Sequence, residues 1–310
     1  MSMNQSVLIC DQVNPVLNEI LEKNGLQITY EPEITPEQIL EKIENFEVII
    51  VRSRTKITKD MIEKANKCQI IARVGVGLDN IDQAAAKEKN IRVINAVEGA
   101  MNAVAELVIG LMLSLAREIP RADREVRNGN WIKKELMGSE LRGKYLGIVG
   151  LGNIGKRLGR LARALNMNII GYDVVPIDEE FSSEVGLMKA DLGTLLSSSD
   201  YVSLHVPLLD STKHLINAEK MSTMKNTSRI INTSRGGVID EDALYEFLKD
   251  GKLGGAALDV FEVEPATSNN LASLPNFIST PHMGAQTKEA QSLAANVIAE
   301  KIIQILRGVT

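Results

Sequence analysis

The sequence predicts an α/β fold in which parallel strands alternate with helices and the chain divides into two domains. Short apolar runs recur between amphipathic stretches, which is the pattern of buried strands and their connecting helices. A glycine-rich turn, Gly150 to Gly155, separates one such run from a helical pattern. The length of 310 residues exceeds the size at which a single core keeps growing. Together these observations predict parallel sheets covered by helices.

Composition limits the possible partners and compartments. A hydrophobic content of 44% with 24% charged residues is typical of a soluble globular protein. The net charge of −5, without a long basic run, argues against nucleic-acid binding. Cys10 and Cys68 lie in or beside apolar runs, as buried thiols of a reducing cytosol do. The N-terminus does not read as a signal peptide, and residues 103–116, interrupted by Glu106, are too short for a membrane span. We expect a cytoplasmic protein with no metal site and no membrane partner.

The first hundred residues are expected to form a small α/β domain with a mostly parallel sheet. Thr35 suits a helix N-cap, with Pro36 at the first helical position and Gln38 closing a capping box. Further helices are predicted at residues 60–67 and 82–89. The predicted strands are 7–10, 48–51, 70–74 and 93–95.

A long helix is predicted over residues 101–116. Its apolar residues cover more than one face, which favours burial between domains or between subunits.

The central element is a strand–turn–helix–strand unit over residues 145–173. In the turn, Gly150 permits a tight bend, Gly152 permits close approach of backbone N–H groups to a pyrophosphate, and Gly155 permits the helix to pack on the strand. The helix N-terminus offers unpaired N–H donors to phosphates. Asp173 ends the second strand, where an acid accepts hydrogen bonds from ribose hydroxyls. A glycine turn alone is weak evidence, but this context favours dinucleotide binding.

The strand–helix rhythm continues to the end of the chain. Asp240 is expected to cap a helix over residues 241–249, which Gly251 ends. The last helix is predicted over residues 287–307. The predicted strands of this part are 201–204, 229–232, 256–260 and 277–279.

Two turns of the first domain suit anions, because ligands bind beyond the carboxyl ends of parallel strands. Arg52 and Arg54 follow one strand and would clamp an anion, although a solvated loop is an equally good interpretation. The turn at residues 75–79 follows another strand and would offer backbone N–H donors to a carboxylate.

Three histidines are available for proton transfer near neutral pH. His214 lies in a polar loop and is expected at the surface. His205 follows a strand, where lining a cofactor cleft and ending the strand are comparable interpretations. His282 stands among small residues just past another strand and is the best candidate. Arg235 would bind a substrate carboxylate and Glu264 would orient the histidine. Spacing alone leaves this trio undecided.

At these residues the chain resembles the D-isomer-specific 2-hydroxyacid dehydrogenases. The resemblance is carried by four motifs in order: the glycine turn with Asp173, Ser234-Arg235-Gly236, Asp259-Val260-Phe261 with Glu264-Pro265, and Pro281-His282 with Gly284. It implies an NAD-dependent oxidoreductase in which Arg235 binds the substrate carboxylate, His282 is the acid/base and Glu264 pairs with His282. It also implies that Asp259 contacts the nicotinamide carboxamide.

The resemblance also implies the domain organisation. It predicts two Rossmann-like domains: a discontinuous flavodoxin-like substrate-binding domain, residues 1–98 plus 286–310, and a doubly wound NAD-binding domain, residues 99–285. The family is usually dimeric through the central domain, which suits the apolar helix at residues 101–116. We therefore expect a homodimer.

The resemblance extends the candidate residues beyond the catalytic trio. The expected cofactor-binding residues are Val76, Gly150, Gly152, Asn153, Ile154, Gly155, Asp173, His205, Val206, Pro207, Thr233, Ser234, Arg235, Asp259, His282, Gly284 and Ala285. The expected substrate-binding residues are Arg52, Ser53, Arg54, Gly75, Val76, Gly77, Arg235 and His282. Asp173 would repel the 2′-phosphate of NADP, so the expected cofactor is NAD.

Within the family, residues 51–58 look most like 3-phosphoglycerate dehydrogenases, which catalyse the first step of serine biosynthesis. The chain would correspond to a short form of these enzymes, with no regulatory module in evidence. A glyoxylate or hydroxypyruvate reductase is the main alternative, because the catalytic residues are shared. A noncatalytic NADH-sensing corepressor is a more remote one.

Overall fold

The computed structural model describes residues 4–267 and 269–308. The chain divides into two compact units, which we call the first unit (residues 1–101 and 285–310) and the second unit (residues 102–284). Both units are α/β with parallel sheets, which confirms the predicted fold class. The assignment of substrate binding to one unit and its boundaries at residues 98 and 286 stay predictions.

The secondary structure alternates between strands and helices along the whole described chain. The strands are β1 (Ser6–Ile9), β2 (Gln27–Tyr30), β3 (Val48–Val51), β4 (Ile70–Arg73), β5 (Arg92–Asn95), β6 (Tyr145–Val149), β7 (Asn168–Tyr172), β8 (Met188–Lys189), β9 (Tyr201–Leu204), β10 (Arg229–Asn232), β11 (Gly255–Leu258) and β12 (Phe277–Ser279). The helices are α1 (Val16–Lys23), α2 (Pro36–Lys42), α3 (Lys59–Lys64), α4 (Gln83–Glu88), α5 (Val97–Arg117), α6 (Ile119–Arg127), α7 (Asn153–Ala164), α8 (Glu179–Val185), α9 (Leu192–Ser198), α10 (Ala218–Ser222), α11 (Glu241–Lys249) and α12 (Lys288–Leu306).

The sheet of the first unit has the order β2-β1-β3-β4-β5 among the described residues, and its pairs are parallel. This order is that of flavodoxin-like folds. The sequence did not predict β2, because its four residues are exposed or half-buried and do not form an apolar run. Helix α12 returns to this unit, where Ile298 and Ile302 pack with Val7 and Val48 in one core.

The capping box at α2 is confirmed. The Thr35 hydroxyl accepts a hydrogen bond from the Gln38 N–H at 3.3 Å, and the Gln38 side chain accepts one from the Thr35 N–H at 2.9 Å. These two bonds satisfy N–H groups that a helix N-terminus leaves unpaired.

The sheet of the second unit has the order β12-β11-β10-β9-β6-β7-β8 over the described residues. All of its pairs are parallel, so the carboxyl ends of its strands lie along one edge. The chain runs outward from β6 on one side and from β9 on the other. A doubly wound sheet binds ligands at this switch point, beyond the carboxyl ends.

Helix α5 is longer than the sequence analysis predicted. It runs over Val97–Arg117, 21 residues, and by length and composition it could cross a membrane, which corrects the expectation that this segment is too short. Half of its most apolar window is buried within the protein. Val108, Leu111 and Met112 pack in the core of the second unit with the sheet residues Leu146 and Ile148. The packing of α5, and not its length, therefore supports its interpretation as a core helix. The cytoplasmic location stays a prediction.

Both cysteines are free thiols that the protein buries. Burial raises the pKa of Cys10 to about 12 and that of Cys68 to about 12. Since the thiolate is the reactive form, both thiols are inert near neutral pH.

Two glycines of the turn after β6 are fixed by packing. Gly150 has φ of 92°, and a Cβ there would lie 2.5 Å from the carbonyl oxygen of His205. A Cβ at Gly155 would lie 2.1 Å from the carbonyl oxygen of Gly150. Gly152 differs, since a Cβ there would meet nothing within 4 Å. The first and third glycines therefore serve the fold, and the second does not.

This difference predicts opposite effects of two alanine substitutions. Gly155→Ala should lower the free energy of unfolding by about 3 kcal/mol, because the new methyl group overlaps a backbone oxygen. Gly152→Ala, the matched control, should cost less than about 1 kcal/mol, the difference between glycine and alanine at a helix N-cap. Urea unfolding followed by circular dichroism measures both. Equal losses would contradict the packing role of Gly155.

Candidate active site

The turn between β6 and α7 leaves a helix N-terminus open to an anion. Gly152 is the N-cap residue of α7, and no described side chain caps the helix there. The space in front of Gly152 is clear. Unpaired N–H groups and the positive end of the helix dipole attract phosphate at such a position. The predicted residues Asn153 and Ile154 form the first helical positions behind it.

Asp173 lies directly after β7 and is tied to the glycine turn. Its Oδ2 accepts a hydrogen bond from the Leu151 N–H at 2.6 Å, and its Oδ1 accepts one from the Val175 N–H at 3.1 Å. These bonds hold the carboxylate beside the turn that would receive a pyrophosphate. The next residues, Val174, Val175 and Pro176, supply no cation for a 2′-phosphate. The arrangement suits NAD better than NADP.

His205 follows β9 and is a neutral residue in this environment. Its Nε2 is hydrogen-bonded to the Ser203 hydroxyl at 2.8 Å. Burial lowers the pKa of the His205 imidazole to about 4, so the ring is uncharged near neutral pH. A residue that cannot hold a proton at neutral pH is a poor general acid. His205 is therefore a poor candidate for the proton transfer, and its contact with the cofactor, like that of Val206 and Pro207, stays a prediction.

The turn after β10 carries Arg235 and is shaped by a buried asparagine. Asn232 Nδ2 donates to the Arg235 carbonyl at 2.8 Å, and its Oδ1 accepts from the Ser234 N–H at 3.0 Å. Arg235 Nη1 donates to the Ser234 carbonyl at 2.6 Å. The Thr233 hydroxyl is buried and has no hydrogen-bond partner among the described residues. A buried hydroxyl at a strand's carboxyl end is a site that a ligand can satisfy.

Asp259 follows β11 and holds the turn that contains His282. The carboxylate is fully buried. Its Oδ1 accepts hydrogen bonds from the Thr280 hydroxyl at 2.5 Å and the Met283 N–H at 2.8 Å, and its Oδ2 accepts one from the Gly284 N–H at 2.8 Å. Asp259 thus binds the Thr280 side chain before His282 and the backbone N–H groups of Met283 and Gly284 after it. Its contact with a nicotinamide carboxamide stays a prediction.

His282 and Glu264 form a hydrogen-bonded pair. His282 Nδ1 lies 2.8 Å from Glu264 Oε2, and the other carboxylate oxygen, Oε1, accepts from the Phe261 N–H at 3.1 Å. An ionised carboxylate only accepts hydrogen bonds, so Nδ1 carries the proton and Nε2 is the nitrogen left for a substrate. The His282 side chain is 49% exposed, and its backbone has φ of 51°. The pair is therefore oriented and accessible.

A pocket of about 600 Å³ lies beside this pair. Its described lining includes no lysine or arginine, so a second anion of the substrate would find no cation there. The residues that line it are Phe261, Glu264, Pro265, Ala266, Thr267, Ser279, Thr280, Pro281 and His282.

In the first unit, the turn after β3 separates the roles of two predicted arginines. Arg54 Nε pairs with the buried Asp11 at 3.1 Å, and its two Nη atoms donate to the carbonyls of Ile34, Cys10 and Pro32 at 3.1, 2.5 and 2.7 Å. Most of the Arg54 donors are therefore used to fix the turn. Arg52 makes one long side-chain contact, Nη1 to the Gln12 carbonyl at 3.3 Å. Burial lowers the pKa of the Arg52 guanidinium, a cost that a bound anion would offset.

The turn after β4 is held through its carbonyl groups. The Gly75 carbonyl accepts from the Ala96 N–H at 2.9 Å and the Val76 carbonyl accepts from Asn95 Nδ2 at 2.5 Å. The Gly77 carbonyl accepts a hydrogen bond from Arg73 Nη1. The Gly75 N–H is used as well, since it donates to the Arg73 carbonyl at 2.9 Å. The N–H groups of Val76 and Gly77 are therefore the ones that would serve a carboxylate.

The structure brings one group of predicted residues to the carboxyl edge of the second sheet. They are Gly150, Gly152, Asn153, Ile154, Gly155, Asp173, His205, Val206, Pro207, Thr233, Ser234, Arg235, Asp259, Glu264, His282 and Gly284. The first unit carries the others, Arg52, Ser53, Arg54, Gly75, Val76, Gly77 and Ala285. Their binding roles stay predictions. Asp11 and Thr280 were not among the predicted residues, because their only sequence signal is a polar residue just past a strand.

Comparison with known proteins places this geometry in a family. A family model described as the NAD binding domain of D-isomer specific 2-hydroxyacid dehydrogenase matches residues 109–284. The chain is 47% identical over 303 residues to D-3-phosphoglycerate dehydrogenase from Methanocaldococcus jannaschii, covering 97% of this chain and 57% of that protein. The chain thus spans little more than half the length of this relative.

Two further proteins resemble this chain over most of their own length. Hydroxypyruvate reductase from Thermotoga maritima is 46% identical over 290 residues, covering 93% of each protein. The crystal structure of D-lactate dehydrogenase from Aquifex aeolicus, complexed with NAD and lactic acid, matches with a TM-score of 0.85 and 31% identity, covering 98% of this chain and 96% of that one. The resemblance seen in the motifs is confirmed. Because a family model matches residues 109–284 and a relative is 46% identical over 93% of both proteins, the chain belongs to the D-isomer specific 2-hydroxyacid dehydrogenase family and carries its NAD-binding domain.

Proposed function

We propose that the chain is an NAD-dependent dehydrogenase that interconverts D-3-phosphoglycerate and 3-phosphohydroxypyruvate. The observation that carries a dehydrogenase function is the His282–Glu264 pair, with Nδ1 2.8 Å from the carboxylate and Nε2 left for a substrate. The similarity to D-3-phosphoglycerate dehydrogenases and the cation at Arg52 support the phosphorylated substrate.

The residues of the second unit fit NAD. The open α7 N-terminus suits the pyrophosphate, and Asp173 suits the ribose hydroxyls. The Thr233 hydroxyl, which is unsatisfied among the described residues, fits a polar group of the cofactor. Bound NADH supplies the hydride for reduction, and NAD accepts it in oxidation.

The side chains of this protein supply binding and proton transfer. Arg235 would pair with the substrate carboxylate through two parallel N–H donors, which fixes the plane of the 2-oxo group. His282 Nε2 would donate a proton to the carbonyl oxygen in reduction and accept the hydroxyl proton in oxidation. Glu264 accepts a hydrogen bond from the His282 Nδ1–H, which sets the tautomer of the ring. Its negative charge would also stabilise the imidazolium form of His282. These roles explain why an arginine, a histidine and a glutamate occur together at one sheet edge.

We assign the substrate phosphate to Arg52, whereas the sequence analysis gave it to Arg52 and Arg54 together. The donors of Arg54 are mostly used by Asp11 and three carbonyls, so Arg54 shapes the turn. Arg52 retains donors for a ligand. A second anion-binding group would have no use with glyoxylate or hydroxypyruvate, which carry only a carboxylate. The similarity to hydroxypyruvate reductase keeps that activity as the competing candidate.

A homodimer through the second unit is part of the proposal. Large apolar side chains are exposed along α5, α6 and the segment after them, and such surfaces mark interfaces. They are Leu113, Ile119, Val126, Trp131 and Met137.

Arg52→Ala should lower kcat/KM for 3-phosphohydroxypyruvate by about ten- to hundredfold, since a charged hydrogen bond contributes roughly 1.5–3 kcal/mol. Reduction of glyoxylate should be nearly unchanged. Steady-state NADH oxidation on 3-phosphohydroxypyruvate, hydroxypyruvate and glyoxylate measures this.

Two controls accompany this variant. Lys56→Ala removes an exposed neighbouring cation and should affect neither substrate, whereas Arg54→Ala should impair both by loosening the turn. Equal losses on all acids with Arg52→Ala would argue for a structural role of Arg52. A wild-type preference for glyoxylate or hydroxypyruvate over the phosphorylated acid would favour the competing candidate.

The dimer is tested by sedimentation velocity. The wild-type protein should sediment as a dimer and Val126→Asp as a monomer, because the charge would be buried in an apolar interface. Leu293→Asp introduces the same charge at an exposed apolar position of α12 and should leave the dimer intact. A monomeric wild-type protein, or a dimeric Val126→Asp variant, would exclude this interface.

A further inference from the structure

Two turns of the candidate active site touch through their backbones. Gly236 follows Arg235, and a Cβ at Gly236 would lie 1.8 Å from the Phe261 carbonyl oxygen and 2.7 Å from the Glu262 nitrogen. The Arg235 turn therefore rests on the Phe261–Glu262 peptide. The Phe261 N–H donates to Glu264, the partner of His282. A displacement of this peptide would change the distance between Arg235 and the acid/base pair.

His214 connects the same two turns from the outside. Its backbone N–H donates to the Gly237 carbonyl at 2.7 Å. Its ring Nε2 lies 3.0 Å from Glu262 Oε1, to which it donates. The residue has φ of 48°, a left-handed conformation that residues other than glycine seldom adopt. One residue thus holds Gly237 with its backbone and Glu262 with its side chain. From the sequence, His214 was expected only to lie at the surface.

Two carboxylate residues, Glu262 and Glu241, are hydrogen-bonded to each other beside His214. The Glu262 N–H donates to Glu241 Oε1 at 2.6 Å, and the Glu241 N–H donates to Glu262 Oε1 at 3.3 Å. Asn269 Nδ2 donates to Glu241 Oε2 at 2.9 Å. Burial, and then the nearby Glu262, raise the pKa of the Glu241 carboxyl. Two acids this close repel each other, so the donor from His214 and the α11 N-terminus stabilise the arrangement.

We propose that His214 is a positioning residue of the dehydrogenase: by joining Gly237 to Glu262 it holds the Arg235 turn and the Glu264 turn at a fixed separation. The inference rests on the proposed function of the Arg235–Glu264–His282 site. His214 acts through these turns, since its hydrogen-bond partners among the described residues are Gly237 and Glu262. Catalysis would depend on it because Arg235 and His282 must act on one small substrate, and small misplacements of reacting groups are costly.

Two substitutions at one position test the side-chain tie. His214→Ala removes the ring donor and keeps the backbone N–H, whereas His214→Gln retains an N–H donor of similar reach. His214→Ala should lower kcat for reduction of the preferred 2-oxo acid about tenfold, with KM changed less than about threefold. His214→Gln should recover most of the loss. Asn166→Ala is the control, since it truncates another left-handed residue of the same unit, at φ of 57°.

A spectroscopic arm makes the test independent of turnover. The chain has three histidines, so the ring signals in histidine-labelled protein can be assigned with a His282→Asn reference. The His282 ring signal should move in His214→Ala and return towards its wild-type position in His214→Gln. An unchanged kcat and an unchanged His282 signal in His214→Ala would overturn the proposal. So would a His214→Gln variant as impaired as His214→Ala. Failure of the wild-type protein to reduce any 2-oxo acid would instead overturn the proposed function, and the His282 signal would still decide the role of His214.

Discussion

The buried carboxylate of Asp259 is the constraint on which the candidate active site depends. A carboxylate removed from water is costly unless hydrogen bonds replace its hydration. The Thr280 hydroxyl and the N–H groups of Met283 and Gly284 supply those bonds. His282 lies between these partners of the Asp259 carboxylate and has a left-handed backbone, with φ of 51°. In this turn the His282 imidazole lies against Glu264, with Nδ1 2.8 Å from Oε2.

The parallel arrangement of the strands brings other candidate residues of the second unit close to the Asp259 turn. The register pairs Asn232 of β10 with Leu258 of β11, and Leu258 with Ser279 of β12, so the turns after the three strands begin at one level. The arginine proposed to bind the substrate carboxylate, a structural aspartate and the histidine proposed to transfer the proton then follow adjacent strands. Each comes from a different part of the sequence, and the sheet alone makes them neighbours. This arrangement is the physical basis for interpreting the edge as a dehydrogenase site.

Much of the fold was predictable because its signals are local. Strands β9 and β10, helix α11 and the Thr35 capping box follow from apolar runs and capping residues within a few positions. The role of Arg54 was not predictable, because its partners Cys10, Asp11, Pro32 and Ile34 come from distant turns. The tie made by His214 to Glu262 likewise joins residues that no sequence pattern links. Sequence motifs identified the candidate residues. The structure was needed to distinguish residues that would bind a ligand from residues that fix the conformation of a turn.

The central claim is that His282 transfers the proton that accompanies hydride transfer, and one variant tests it most directly. His282→Asn keeps a donor towards Glu264 and removes the nitrogen proposed to serve the substrate. Its kcat with NADH and a 2-oxo acid should fall by about two to four orders of magnitude, while NADH affinity, measured by fluorescence titration, stays close to the wild-type value. A near-normal kcat in this variant would contradict the account, and another group would then have to be the acid.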